Sequence, residues 1–167
     1  MRLDVGSGDR GQSGPDYIKL DKFDFSASYP EGQFIQHDLK DPLPFEAGTI
    51  DEIWCHHVLE HLTHRHPDPA KDIDYLVWVM NEFHRVLKVG GLAHCIVPWW
   101  EHPNNWRHPT HYREFNEKSF EFWTYSQKEM PGEVASTKRN GRWKCKKNCI
   151  HDNTHIYAIL IKLDEHP

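Results

Sequence analysis

The sequence predicts an α/β protein: a mostly parallel sheet with a C-terminal antiparallel hairpin and few helices in its first half. Three observations point there. Short apolar runs recur at 3–5, 17–20, 34–37, 52–55 and 92–97, each closed by a turn or polar residue, as short buried strands are. A single long helical stripe precedes the last of these runs. Finally, "RWKCKKNCI" and "HIYAILIKL" flank the turn-forming "HDNT", which reads as a closing hairpin. Strands alternating with helical sequence and ending in a hairpin imply a mostly parallel sheet.

The connectors of the first half are unusual. Asp4, Asp21, Asp38 and Cys55 close four successive runs at intervals of 17 residues, so each connection is short. "GDRGQSGPD" and "FSASYPEG" are turn formers and "LKDPLPFEAG" carries two prolines, so none reads as a helix. Parallel strands normally need a crossover of about a dozen residues or more, usually helical. The expected sheet is therefore stripped of helices on that side, and apolar surface left uncovered there would suit a homodimer.

The second half supplies helices. From Asp72 to Lys88, Ile73, Leu76, Val77, Met80, Phe83 and Leu87 form a helical stripe, and Gly90-Gly91 is expected to end it. Another helix is expected after Asn116 as cap, in "NEKSFEFW".

Composition bounds the rest. The 167 residues, 38% apolar and 13% aromatic, suffice for one core, and a single domain over 1–167 is expected. No run has the apolar length of a membrane helix. A strand starting almost at Met1 leaves no room for a leader, so a cytoplasmic location is expected. A formal charge of -5 gives no overall reason to bind nucleic acid or an anionic membrane. "KRNGRWKCKK" is a local basic run, either an anion contact or the charged decoration of an edge strand. Cys55 and Cys95 sit in apolar stretches and read as reduced core residues. Cys145, Cys149, His151 and His155 have a conceivable zinc order but lack the usual loop between ligand pairs.

Gly6, Gly8 and Gly11 stand in Gly-x-Gly-x-x-Gly order directly after the first strand, a motif shared by several nucleoside-cofactor sites. A pyrophosphate cofactor needs the N-terminus of a helix after the glycines, and "QSGPD" does not provide one. A cofactor with a ribose, an adenine and a charged amino-acid tail still fits. Asp21 is placed for ribose hydroxyls, Asp38 for an exocyclic amine, and Asp4 for an ammonium or sulfonium charge. Three carboxylates at successive strand ends suit a cationic cofactor.

With these motifs in view, "LDVGSGDRG", "IKLD", "QHDLKDPLPFEAGTIDEIWCHHVLEHL", "EFHRVLKVGGLAHCIVP" and "HPTHYREFNEKSF" together resemble the class I S-adenosylmethionine-dependent methyltransferases, among them small members with a shortened N-terminal half. The resemblance covers most of the chain to about residue 125. It implies a Rossmann-like fold, S-adenosylmethionine as cofactor and methyl transfer as activity. It implies that Asp4, Gly6 and Gly8 line the methionine moiety, that Asp21 holds the ribose, and that Asp38 with Leu39 holds the adenine. The stretch from Cys55 to His57, with His56 at its centre, would close the cofactor site. The chain departs from the family in lacking a helix before the first strand and another after the glycines.

"CHHVLEHLTHRHP" contains His57-x-x-Glu60-His61, the spelling of an inverted zinc-protease motif. A zinc protease needs a long helix there and a third ligand, whereas the methyltransferase resemblance puts a Leu-Glu-His sequence at this place. No metal is expected. His57, His61 and His111 are the candidate bases at the substrate side, because histidine exchanges protons near neutrality; each can equally serve as a packing or hydrogen-bonding residue. Trp99, Trp100, Trp106 and Tyr112 follow the fifth strand and are expected to wall the pocket, with His108 beside His111. The acceptor is expected to be a small molecule, with nucleic acid disfavoured and no membrane partner. Two rivals remain at this point, a catalytically silent cofactor-fold module and a metal-dependent hydrolase built on the histidine clusters.

Overall fold

The computed structural model describes residues 1–11, 13–124 and 141–164. Its centre is a seven-stranded sheet: β1 (Arg2–Val5), β2 (Ile18–Asp21), β3 (Phe34–Gln36), β4 (Ile50–His56), β5 (Leu87–Pro98), β6 (Trp143–His151) and β7 (His155–Lys162). The order is β3-β2-β1-β4-β5-β7-β6. β1 to β5 run parallel, while β7 is antiparallel to β5 and to β6. The predicted parallel sheet and closing hairpin are both present.

The single long helix among the described residues, α1 (Tyr75–Val86), starts at Asp74, whose side chain accepts a hydrogen bond from the Val77 amide. Its inward residues Val79, Met80, Phe83 and Val86 are buried with Leu3, Val5, Ile53, Cys55, Ala93, Cys95 and Val97 of the sheet. Burying each such large apolar side chain is worth about 1.5–3 kcal/mol. α1 does not run to Gly90-Gly91. The chain passes directly from Val86 into β5, and the glycines lie within the strand beside the register shift between Ile50 and Glu52. Nor does Asn116 cap an α-helix: turns lead to one 3-10 turn, Glu121–Trp123. Asn116 spends its side chain on the Lys118 amide, and its own amide donates to Ser119 Oγ.

The connectors of the first half carry no α-helix among the described residues, so the face of the sheet opposite α1 is covered differently. The register places Asp4, Trp54, His94 and Ile159 in one row and Arg2, Glu52, Leu92 and Ile161 in the next. Trp54 and His94 stack at 5.0 Å, the Tyr157 hydroxyl lies 2.7 Å from His94 Nδ1, and Lys147 sits over the Tyr157 ring. The surface expected to be apolar is thus largely a layer of flat aromatics and ion pairs.

The loop after β1 is held by charge. Lys19, on β2, donates to Asp4 Oδ2 (3.3 Å), Ser13 Oγ (2.7 Å), Ser13 O (3.2 Å) and Gly14 O (3.0 Å). The Ser13 amide and hydroxyl both donate to the same Asp4 oxygen. Asp4 and Lys19 are almost fully buried. β6 forms the edge of the sheet, with Lys144, Lys146 and Lys147 exposed along it, a charged edge that resists further strand pairing.

Removing one partner of a buried ion pair leaves an uncompensated charge, so Lys19→Met is expected to cost about 3–5 kcal/mol in urea denaturation. Adding Asp4→Leu should recover much of the loss, because no buried charge then remains. A Lys19→Met protein as stable as the wild type would show that the pair does not hold the loop.

Candidate functional site

A cavity of about 540 Å³ opens at the carboxyl ends of the parallel strands, where ligands sit in open α/β sheets. After β1 come Gly6 and Gly8, at the end of β2 Asp21 and beyond it Phe23 and Phe25, after β3 Asp38 and Leu39, after β4 His57, Val58, His61 and Leu62. Tyr75 of α1 and Thr110 complete the wall.

Gly6 has φ +70°, and a Cβ there would lie 2.1 Å from a Val58 methyl. The glycine loop and the segment after β4 can therefore touch only because Gly6 has no side chain. The loop then turns onto Asp21: the Gly8 amide donates to its Oδ2 at 3.0 Å and the Phe23 amide to its Oδ1 at 3.0 Å. Each carboxylate oxygen keeps further acceptor capacity, enough for a diol. Asp38 accepts from the Lys40 amide at 3.1 Å. Burial and the nearby Asp38 charge push the Tyr75 hydroxyl well above its ordinary value, which keeps it a proton donor facing that carboxylate. Leu20, Leu39, Val58 and Leu62 supply the apolar wall. Acid groups at the ends of β2 and β3, a glycine cradle, and no helix N-terminus among the described residues after β1 fit a nucleoside with a cationic tail better than a dinucleotide.

The histidine-rich segment is divided. β4 ends at His56, and His57 follows with φ +56°, a left-handed conformation that costs a non-glycine residue energy and concentrates at functional sites. His57 Nδ1 lies 2.8 Å from Glu60 Oε1. Glu60 is fully buried, and its Oε2 has no hydrogen-bond partner among the described residues. Glu60 also serves through its carbonyl, which accepts from the amides of Tyr112 and Arg113 and so ties the segment after β5 to the segment after β4. His57-x-x-Glu60-His61 does not form one site: only a 3-10 turn, Leu59–His61, lies there. It sends His57 toward His56 and His155, and His61 toward His108 and His111. Burial first, then the neighbouring His57 and His155, lower His56 to about 4. Burial also lowers His155, His61 and His94.

Of the residues expected around the cofactor, Gly6, Gly8, Asp21, Asp38 and Leu39 lie on the cavity wall, as do His57 and His61 among the candidate bases. Asp4 does not, because Lys19 and Ser13 hold it beneath the loop. His56 stands behind His57 and stacks on it at 4.4 Å. His111 reaches the site only through His61, 4.8 Å away between ring centres. The tryptophans expected to wall the pocket do not: Trp106 is exposed and donates to the Trp100 carbonyl, and the segment gives the cavity Thr110 alone. The imagined Cys-Cys-His-His set is also dispersed. A register shift between Cys145 and Lys147 turns the two cysteines to opposite faces of the hairpin. Phe23, Phe25, Val58, Tyr75 and Thr110 were not expected in the site. The first two immediately follow the second strand, and that position was the signal available for them.

Residues 18–95 match the family model of a methyltransferase domain. No curated protein matches the chain. Among solved structures, YcgJ from Bacillus subtilis is similar over 98% of this chain and 92% of its own, with 14% identity and a TM-score of 0.60. A TehB-like S-adenosylmethionine-dependent methyltransferase from Corynebacterium glutamicum is similar over 96% and 79%, at 16% identity and a TM-score of 0.59. A third is 1,6-didemethyltoxoflavin-N1-methyltransferase from Burkholderia thailandensis, solved with 1,6-didemethyltoxoflavin and S-adenosylhomocysteine, which matches over 98% and 71% at 15% identity and a TM-score of 0.55. Residues 18–95 thus carry the match to a methyltransferase domain, and the fold is shared with these structures over nearly the whole chain. No helix of the described residues is long and apolar enough to cross a membrane.

His56 has a folded value of about 4 against an ordinary 6.5, so between these limits the unfolded chain binds more protons than the native one. Stability is then full above pH 6.5 and falls as the pH is lowered toward 4. Melting temperature followed across this window is expected to drop on acidification, and His56→Gln should flatten part of the slope. An equal slope in that variant would remove His56 as its source.

Proposed function

We propose that the chain transfers the methyl group of S-adenosylmethionine to a small-molecule acceptor, with His57, oriented by Glu60, accepting the acceptor's proton. The observation that carries this reading is the His57–Glu60 pair on the wall of a cavity that also presents Gly6, Gly8, Asp21 and Asp38. S-adenosylmethionine, when bound, supplies an electrophilic methyl on a sulfonium centre. Asp21 would take the ribose hydroxyls, Asp38 and Leu39 the adenine, and Gly6 with Gly8 the amino-acid end.

What remains for the protein is alignment, exclusion of water and, for a protonated acceptor, removal of a proton. His57 Nδ1–H donating to Glu60 leaves Nε2 as the acceptor of that proton, the logic by which a buried carboxylate fixes a catalytic imidazole. The imidazolium that results lies against a carboxylate shielded from water, where the attraction is stronger than at a surface. The unpartnered Glu60 Oε2 is a standing cost of burial, and the charged state of His57 offsets it. The cavity volume of about 540 Å³ lies within the range of small-ligand sites, and the net charge of -5 gives nucleic acid no broad electrostatic landing surface.

The test is transfer of radiolabelled methyl from S-adenosylmethionine across a panel of small hydroxyl and amine acceptors. With an accepted substrate, His57→Gln is expected to lower kcat by roughly 10²–10⁴ while cofactor affinity is kept. Glu60→Gln should lower it in the same direction. An unchanged kcat in His57→Gln would remove His57 as the base, and no labelled product with any acceptor would oppose the small-molecule reading.

A further inference from the structure

Three histidines apart from the His57–Glu60 pair meet at the lip of the cavity. His61 ends the 3-10 turn after β4, and His108 and His111 come from the segment after β5. Their candidate ligand atoms all lie within 4.8 Å of one another. The rings of His108 and His111 stack at 5.0 Å, and His61 stands edge-on to both, at 5.2 and 4.8 Å.

The hydrogen bonds around these rings share one pattern. His61 Nδ1 lies 2.9 Å from Thr110 Oγ1 and 3.1 Å from Thr110 O. His108 Nδ1 lies 2.9 Å from the same hydroxyl, and His111 Nδ1 lies 2.9 Å from Asn105 O. The Asn105 and Thr110 carbonyls hold His111 and His61 in the Nδ1–H tautomer. His108 Nδ1 meets both the Thr110 hydroxyl and, at 3.4 Å, the Thr110 amide, and donation to the hydroxyl gives it the same tautomer once the longer amide contact yields. An imidazole whose Nδ1–H is held by oxygen presents its Nε2 lone pair, the arrangement that orients metal-binding histidines. The support is itself rigid: Asn105 is almost fully buried, and the amides of Tyr112 and Arg113 anchor the segment to the Glu60 carbonyl.

We propose that His61, His108 and His111 bind one divalent transition-metal ion, of the zinc class, through their Nε2 atoms. Three nitrogen ligands with a further position open is the composition of a catalytic rather than a structural site, and imidazole donors select zinc, cobalt, nickel or iron over magnesium or calcium. Zinc–nitrogen bonds of about 2.0–2.1 Å put tetrahedral ligand atoms about 3.3 Å apart, so small side-chain rotations complete the site. His61 and Thr110 also line the cavity, which turns the open position toward it. Resting on the methyltransferase reading, the ion takes the oxygen of a hydroxyl-bearing acceptor as its ligand. The hydroxyl proton passes to His57, the oxygen forms its bond to the methyl carbon, and the carbon–sulfur bond breaks to leave the cofactor as a neutral thioether.

Cobalt(II) titration of tag-free protein, followed by visible absorption and then by zinc competition, tests the site. S-adenosylhomocysteine binding is measured calorimetrically on the same samples. The wild type is expected to take one ion per chain. His61→Ala and His111→Ala should lose it, His111→Ala while still binding S-adenosylhomocysteine, and Thr110→Val should weaken it by roughly 10–100-fold. Thr110→Val keeps all three rings and so serves if an alanine variant does not fold. A wild type that binds no cobalt, Thr110→Val with unaltered affinity, or an ion kept by His111→Ala but lost in His155→Ala would overturn the proposal. Intact S-adenosylhomocysteine binding in those cases leaves the methyltransferase reading standing, whereas its absence from the wild type strikes that reading independently.

Discussion

Beneath the glycine loop, where the described residues hold no helix, the chain places a buried ion pair. Asp4 and Lys19 stand on adjacent strands and gather Ser13 and Gly14 around one ammonium group. A buried pair is not in itself a strong source of stability. Its value here is conformational, because loop carbonyls and a loop amide have no alternative partners once the connection is too short for a helix. The loop above it forms one wall of the cavity: it turns with Gly6 against Val58, and Gly8 reaches the carboxylate of Asp21.

The same economy explains the two faces of the sheet. One is an ordinary apolar core under α1. The other carries Arg2, Glu52, Trp54, His94 and Tyr157 in mutual contact, so that the strands are shielded by their own side chains rather than by crossover helices. Alternation along a strand sends successive residues to opposite faces, and the sequence writes both patterns at once. Glu60 then joins the parts of the site. Its carboxylate orients His57, and its carbonyl holds the segment carrying His108 and His111.

Much of this was legible in the residues. The strand runs, the hairpin and the glycine loop announce themselves locally, and the acids at strand ends become neighbours once the strands are parallel. The limits have physical causes. Asp4 looks like a cofactor residue until Lys19, on the next strand, is known to reach it. The His-x-x-Glu-His spelling suggests one centre, yet a 3-10 turn with one left-handed residue rotates its two histidines into different clusters. Their partners, His155 and His111, arrive from 98 and 50 residues further along the chain, which spacing cannot reveal. The tryptophans after β5 fail as pocket walls because a short helix, α2 (Pro103–Arg107), opens with Pro103 and carries Trp106 outward.

The central claim is that strands joined by connectors with no α-helix among their described residues still form a nucleoside site. It is tested most directly by calorimetric titration of S-adenosylmethionine and S-adenosylhomocysteine into wild-type protein and into Asp21→Ala. The account predicts single-site binding of both ligands to the wild type and its loss in Asp21→Ala, with the variant still folded. Absence of binding to the wild type, or equal binding to both proteins, would contradict it.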